Sequence, residues 1–366
     1  MENQLNQPAL SLVTRFNQWI QESIMVKLFS IGFLVVLLLI PTAWIDDLIQ
    51  ERQYRAESVI DEISSKWSDS QTLSGPILLI PYSYQVKTEG KDNEVKITEH
   101  MGSAFFLPEQ LTVNGSVEPT VLHRGIFEAV VYNGAVTIDA KFATPVFDFL
   151  TEENVSVKWS SARLIIGLTD LGGIQGTPEL TWAGAVPVLE PSADIGVSIR
   201  SFEGGSGLQY DKDSGFSSEG IVAKLNWTDA SSFSEDLKLT IRFRGSDGLR
   251  FVPTGKNTDV NLTGTWADPS FDGKFLPETR NISDSTFTAK WNVSHFNRPF
   301  SQQWSGWGQH LTDAEFGLRL LVPVEQYQKS MRTSKYAQLI IILTFIALFL
   351  TEITKKIRIH PFQYIL

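Results

Sequence analysis

The sequence predicts a mainly β protein, in which a large antiparallel, β-sandwich-like domain is flanked by two transmembrane α-helices. Two uncharged apolar runs, one near each end of the chain, indicate the helices. Apolar and polar residues alternate over much of the sequence between the runs, which indicates half-buried strands. The alternating segments are numerous enough to favour packed sheets over one sheet.

The composition excludes several classes of function. The chain has 366 residues and no cysteine, which excludes disulfides, thiolate catalysis and cysteine-ligated metals. Its 31 basic and 41 acidic residues give a net charge of -10, and phosphate-backbone binding needs clustered Lys and Arg. We therefore expect no nucleic-acid partner.

The N-terminal segment, residues 1–26, precedes the first predicted transmembrane helix at residues 27–45. The run Leu28–Ile45 carries no charge, and at about 1.5 Å per residue its length suits the hydrocarbon core of a bilayer. A cleaved signal peptide is disfavoured by the long stretch before the run. Apolar residues recur at helical spacing in residues 12–24. They indicate either an interfacial helix or an extension of the transmembrane helix.

A helical stalk is predicted for residues 46–73, because apolar residues continue at helical spacing among charges. The second transmembrane helix is predicted at residues 336–353, and a buried helix of a soluble domain is the alternative. Residues 354–366 would then follow on the same side of the membrane as the N-terminus. The two helices make the lipid bilayer the first predicted partner.

Residues 74–335 form the predicted β domain. Alternation is regular at Leu237–Arg244 and Phe287–Val293, and Asn-Gly and Asp-Gly pairs supply turn signals between such segments. The tetrapeptide Phe-Leu-Pro-Glu occurs twice, at residues 106–109 and 275–278. This echo predicts two related halves, residues 74–191 and 219–323, joined by a Gly- and Ser-rich loop.

Motifs for chemistry are largely missing from the sequence. Phosphate-binding loops, the hydrolase nucleophile elbow and the calcium loop each fail at required positions, and the five histidines show no zinc spacing. We therefore expect no catalytic residue, no metal site and no cofactor. Trp304 and Trp307 lie in a loop-like stretch rich in Gln, where they could contact a glycan or a protein partner. The alternative is that both rings fold back on the sheet or dip into the membrane surface.

Several segments spread along the chain resemble the CreD family of bacterial inner-membrane proteins. The likeness rests on Ser74–Pro81, the two Phe-Leu-Pro-Glu segments, Val252–Asn257, Trp266–Phe271 and the ending His-Pro-Phe-Gln-Tyr. The resemblance implies a cytoplasmic N-terminus, a periplasmic β domain and links to envelope integrity and colicin tolerance. It also implies further membrane helices after Leu366.

Several motif residues are interpreted as architecture rather than active site. Proline fixes φ and lacks an N–H donor, so the three motif prolines are expected at strand ends or edges. Gly75 is expected to supply backbone freedom where the first strand begins. The two glutamates have a rival interpretation, as paired catalytic carboxylates. The residues in question are Gly75, Pro76, Pro108, Glu109, Pro277 and Glu278.

The predicted function is that of a non-enzymatic, multi-pass inner-membrane protein of envelope integrity and envelope stress, whose periplasmic domain contacts an envelope protein. A periplasmic glycan- or lipid-binding module is the alternative. A hydrolase of envelope material ranks below both.

Overall fold

The computed structural model of the chain describes residues 24–89, 95–182, 185–195, 219–306, 309–320 and 325–355. It divides into a helical unit, with described residues 24–58 and 325–355, and a β unit, Val59–Val322. Most of the predicted segments 1–26 and 354–366 (residues 1–23 and 356–366), Trp307 and most of the Gly- and Ser-rich loop lie outside the described residues.

Two helices of the described chain are long and apolar enough to cross a membrane. Helix α1 is Ile24–Trp67 and helix α2 is Glu325–Lys355. Their apolar side chains are mostly exposed, as lipid-facing side chains are (Phe29, for example, is 78% exposed). Within the helical unit, Gln338 Nε2 donates to Asp46 Oδ2 at 2.9 Å, just after the apolar run of α1 ends. One continuous helix thus covers the first predicted span and most of the predicted stalk.

Two sheets make up the β unit. Sheet A has the order β13-β17-β11-β1-β6-β9-β8, with β2 and β5 also on β1 and β16 on β2, and sheet B has the order β14-β15-β12-β3-β4-β10-β7. The strands are β1 (Gln71–Glu89), β2 (Val95–Phe106), β3 (Gln110–Arg124), β4 (Phe127–Lys141), β5 (Ser156–Val157), β6 (Arg163–Leu168), β7 (Glu179–Trp182), β8 (Leu189–Ser192), β9 (Gly220–Lys224), β10 (Asp236–Ser246), β11 (Gly248–Phe251), β12 (Asn257–Gly264), β13 (Pro269–Gly273), β14 (Thr279–Ile282), β15 (Phe287–Ser294), β16 (Gln303–Ser305) and β17 (Phe316–Leu320).

The main core lies between the two sheets, and alternation places the side chains that fill it. In β10, Leu237, Leu239 and Ile241 are buried, and so are Phe287 and Trp291 in β15. These side chains pack in one cluster with apolar residues of sheet A. The mainly β fold predicted from the alternating segments is therefore confirmed.

A second apolar cluster includes side chains of β1 and β6, separate from the main core. Ile77 and Leu79 of β1 and Ile165 of β6 pack there with Phe300 and Trp304, from the segment after β15. The even-numbered neighbours in β1, such as Leu78 and Ile80, belong to the main core instead. Because this part of β1 is covered on both faces, the run Pro76–Pro81 is continuously apolar, as strands buried on both faces are.

The two predicted halves share both sheets. Strand β1 pairs with β11 and strand β3 with β12, and these two pairs are parallel, which an alternating pattern does not reveal. Strand β10 also pairs with β4 in sheet B. The duplication stays a prediction, with one feature in its favour: each Phe-Leu-Pro-Glu segment leads from a strand of sheet A to a strand of sheet B.

Candidate functional site

The sequence motifs meet where the chain crosses from sheet A to sheet B. Thr254, fully buried in the loop after β11, donates from Oγ1 to Gly75 O at 3.1 Å. Val252 N donates to Leu73 O at 3.0 Å in the same region. These bonds join the Ser-Gly-Pro segment of β1 to the Val252–Asn257 segment, although the two are far apart in the sequence.

Gly75 and Pro76 lie inside β1 and not at its end, which corrects the expected position. The register of β1 against β6 shifts between Ser74 and Ile77, so the proline occupies a bulge. A bulged residue is left out of the ladder, and the missing N–H of proline therefore costs no strand bond. Gly75 has φ +100°, and a Cβ there would lie 2.9 Å from Ile165 O, so glycine fits this position as expected.

The first Phe-Leu-Pro-Glu segment is a corner between β2 and β3. Glu109 N donates to Lys141 O at 2.7 Å, and Pro108 O accepts a bond of 2.8 Å from Lys256 N. The carboxylate Oε2 of Glu109 pairs with Lys256 Nζ at 2.8 Å, and both side chains are partly exposed. Pro108 therefore lies between strands, as expected, and the Glu109 carboxylate is paired with Lys256 from the loop between β11 and β12.

The second Phe-Leu-Pro-Glu segment makes an equivalent corner between β13 and β14. Glu278 N donates to Lys290 O at 2.8 Å, as Glu109 N does to Lys141 O. Phe275 O accepts from Trp291 Nε1 at 3.2 Å. Pro277 lies between strands here too.

The strand register separates the two glutamates. The pairing of β14, β15, β12 and β3 places Thr279 in the same row across sheet B as Asn114. Glu278 therefore lies three strands away from Glu109 across the sheet, and about four residues away along the strand direction. With about 4.8 Å between strands and about 3.3 Å per residue, their backbones are roughly 19 Å apart. Paired carboxyl groups in glycosidases are about 5–9.5 Å apart. The wider backbone separation here and the ion pair of Glu109 with Lys256 both disfavour shared acid–base chemistry.

Arg298 and Gln302 together hold the segment after β15 against the first corner. Arg298 is 7% exposed, its Nη1 donates to Phe300 O, and its Nη2 donates to Gln302 Oε1 at 2.5 Å. Gln302 Nε2 in turn donates to Pro108 O at 2.7 Å and Leu107 O at 3.0 Å. Burial lowers the pKa of Arg298 to about 10. We call residues 295–304 the clamped segment.

Trp304 lies at the end of the clamped segment and is only 8% exposed. Its ring stacks on Phe105, with 5.1 Å between the ring centroids and 6° between the planes. This position corresponds to the alternative interpretation, in which the ring folds back on the sheet. A ring buried in this way leaves little surface for a glycan, and Trp307 lies outside the described residues.

The aromatic side chain that the clamped segment exposes is Phe296, which sequence reasoning missed. It is 86% exposed, and the centroid of the His295 ring lies 4.0 Å from the centroid of its ring. Leu276, in the second corner, is 66% exposed. The tryptophans dominate the aromatic signal of this stretch, and an exposed phenylalanine between polar neighbours carries no periodic signal that would identify it.

A polar groove of about 550 Å³ lies on sheet B near the start of β3. Asp139, Lys141, Asp236 and Lys238 line it with Gln110 and Thr112. Lys141 Nζ lies 3.6 Å from Asp236 Oδ1, and Lys238 Nζ lies 4.0 Å from Asp139 Oδ1. Within the described ranges, no group of three His, Asp or Glu side chains is arranged to hold a metal ion.

Comparison with known proteins gives two agreeing results. A family model described as "Inner membrane protein CreD" matches residues 23–366. The protein of that description from Escherichia coli (strain K12) is 31% identical over 347 residues, which cover 93% of this chain and 71% of the relative.

Proposed function

The chain belongs to the CreD family of inner membrane proteins, and from this premise we propose that it acts in envelope integrity through a periplasmic, partner-binding β unit. Family membership and the two apolar helices support a role at the membrane envelope. The N-terminus and the end of α2 are proposed to lie in the cytoplasm. The β unit would then face envelope proteins in the periplasm.

The observation that carries the proposal is the exposed Phe296 on a fixed support. Aromatic residues, phenylalanine among them, are enriched in the cores of protein–protein interfaces, and a rigid backbone that presents such a ring lowers the entropy cost of binding. Arg298 and Gln302 fix the backbone around Phe296 by bonds to carbonyl oxygens of the clamped segment and the first corner. The motif residues would thus shape a binding surface rather than perform chemistry.

We propose a non-enzymatic mechanism, since Glu109 is paired with Lys256 and its backbone lies roughly 19 Å from the backbone of Glu278. Glu109→Gln and Glu278→Gln should therefore keep envelope function in a folded protein. Loss of function in a stably folded Gln variant would contradict the non-enzymatic mechanism.

Photo-crosslinking at position 296 tests the partner. A photoreactive phenylalanine analogue at position 296 should give a discrete crosslinked band with an envelope protein in living cells. The same analogue at Ile126, which is 71% exposed in the turn between β3 and β4, is the matched control and should give none. Equal crosslinking at both positions would remove the support for a specific partner surface.

The polar groove on sheet B favours a glycan as a second candidate ligand. Its paired lysines and aspartates, with Gln110 and Thr112, offer donors and acceptors of the kind that sugar hydroxyl groups use. If peptidoglycan fragments bound the chain and Lys141→Ala with Lys238→Ala abolished the binding, the glycan-binding module would replace the protein-partner proposal.

A further inference from the structure

Helix α1 continues into the first strand of the β unit through a short, buried connection. The helix ends at Trp67 and β1 begins at Gln71, so residues 68–70 alone lie between them. These residues and the last turns of α1, from Val59 onward, belong to the β unit. Ser68 is 2% exposed and Gln71 is 0% exposed. Connections between elements usually lie on the surface, so the contacts of this one need an explanation.

The Asp170 carboxylate binds this connection and its own loop at the same time. It lies in residues 169–173, after β6, which we call the socket loop. Its Oδ2 accepts from Ser68 Oγ at 2.8 Å and from Asp69 N at 3.0 Å. Its Oδ1 accepts from Gly172 N at 2.8 Å, which fixes the socket loop itself. Because hydrogen bonds to an ionised carboxylate are stronger than those between neutral groups, one side chain fastens the end of α1 to this loop.

The side-chain amide of Gln71 joins the socket loop to both sheets. Its Oε1 accepts from Asp170 N at 3.2 Å, and its Nε2 donates to Asp170 O at 2.9 Å. Nε2 also donates to Arg244 O at 3.1 Å. Gln71 belongs to β1 of sheet A, and Arg244 belongs to β10 of sheet B. Because a buried amide that loses its partners is destabilising, these bonds hold the Gln71 side chain in one orientation.

The socket loop also fits closely against the connection. Thr169 Oγ1 donates to Ser70 O at 2.8 Å. A Cβ at Gly173 would lie 2.5 Å from Ser68 Oγ and 2.5 Å from Arg244 O, so a side chain there would displace the connection or β10. The end of α1, sheet A and sheet B therefore meet at one small group of buried polar residues.

We propose that Asp170 and Gln71 make the end of helix α1 and the two sheets one rigid body. A rotation of the helix end then reaches both sheets and is not absorbed by residues 68–70. A few residues at the end of an element can absorb large φ/ψ changes and act as a hinge, but here hydrogen bonds from the socket loop restrain them. Asp170 is thus a positioning residue for α1. This role does not depend on the proposed function.

Distances between pairs of spin labels on the full chain in detergent test the proposal, because the chain has no cysteine of its own. Ser65→Cys and Thr288→Cys place labels at exposed positions in the last turn of α1 and in β15 of sheet B. The Ser65–Thr288 distance distribution should become roughly twofold broader, or more, when Asp170→Ala is added. Ser68→Ala removes one bond to the carboxylate and should broaden the same distribution by a smaller amount.

Two controls separate release of the helix end from general loosening of the fold. Asp229→Ala removes a carboxylate that caps a turn of its own, by accepting from Ser231 N at 2.9 Å, and should leave the Ser65–Thr288 distribution unchanged. A label pair at Thr181 and Thr288, both in sheet B, should keep its width with Asp170→Ala. An unchanged Ser65–Thr288 width in Asp170→Ala or Ser68→Ala, equal broadening in Asp229→Ala, or broadening of the Thr181–Thr288 pair would each overturn the proposal.

Discussion

At the residue scale, the hydrogen bonds of the buried Arg298 guanidinium hold the clamped segment in its conformation. Its described hydrogen-bond partners are carbonyl and amide oxygens of residues 300–302, and its guanidinium lies 4.3 Å from the centroid of the Phe300 ring. A buried cation normally loses solvation energy, and several hydrogen bonds in a fork geometry offset that loss. Lysine has the same charge and cannot reproduce the fork.

We expect Arg298→Lys to destabilise the fold by about 2–3 kcal/mol, because hydrogen bonds to a buried charged group would be lost. Urea unfolding of the full chain in detergent, followed by tryptophan fluorescence, measures the change. Arg280→Lys, at an exposed position in β14, is the control and should change little. A stability equal to that of the parent would contradict the role given to Arg298.

At the element scale, the last turns of α1 are attached to sheet B within the β unit. Arg124 Nη1, at the end of β3, lies 2.5 Å from Glu62 Oε2, and Lys66 Nζ lies 2.6 Å from Glu62 Oε1. The guanidinium of Arg244 lies 4.7 Å from the centre of the Trp67 ring. Hydrogen bonds from Arg124 and then Lys66 lower the pKa of the Glu62 carboxyl from 4.5 to about 2.

This shift predicts a pH dependence. Because the folded-state pKa of Glu62 is below the unfolded value of 4.5, the ion pair stabilises the fold above that pH. Its contribution is lost as the pH falls toward about 2. Arg124→Gln should therefore lower Tm at neutral pH, and the Tm difference between the variant and the parent should disappear at acidic pH.

Thermal unfolding of the detergent-solubilised chain across this pH range measures the difference. Arg280→Gln removes another exposed arginine of sheet B and should give no Tm difference that disappears at low pH. A Tm difference for Arg124→Gln that stays constant down to pH values near 2 would show that Glu62 is not the titrating partner.

At the scale of the whole molecule, two apolar helices and one β sandwich are consistent with a membrane-anchored domain. The apolar side chains of the helical unit are mostly exposed, whereas the β unit has two buried apolar clusters. The proposed topology places the β unit in the periplasm and Lys355, the last residue of α2, in the cytoplasm.

Cysteine labelling tests this topology in a chain without native cysteine. Phe296→Cys should react with a membrane-impermeant maleimide in cells whose outer membrane is permeabilised, since position 296 is exposed. Lys355→Cys should react only after lysis. Trp304→Cys, at a buried position, controls for accessibility and should react only after unfolding. Labelling of Lys355→Cys but not Phe296→Cys in unlysed cells would reverse the proposed orientation.

Elements with local signals can be identified from the amino-acid sequence without the fold. The uncharged run Leu28–Ile45 identifies a helix because length and apolarity are properties of one segment. The alternation at Leu237–Arg244 identifies a strand and its buried face for the same reason. Pro108 and Pro277 are predictable as residues between strands because proline restricts its own backbone.

Which segments meet is set by the folded chain and not by any local signal. The bulge that accommodates Pro76, the parallel pairing of β1 with β11 and the bonds from Gln302 to the first corner each join residues distant in the chain. The exposure of Phe296 and the burial of Trp304 depend on how the clamped segment packs on sheet A. Side-chain type and spacing can be read directly from the sequence, whereas burial depends on neighbours that folding brings together from distant parts of the chain.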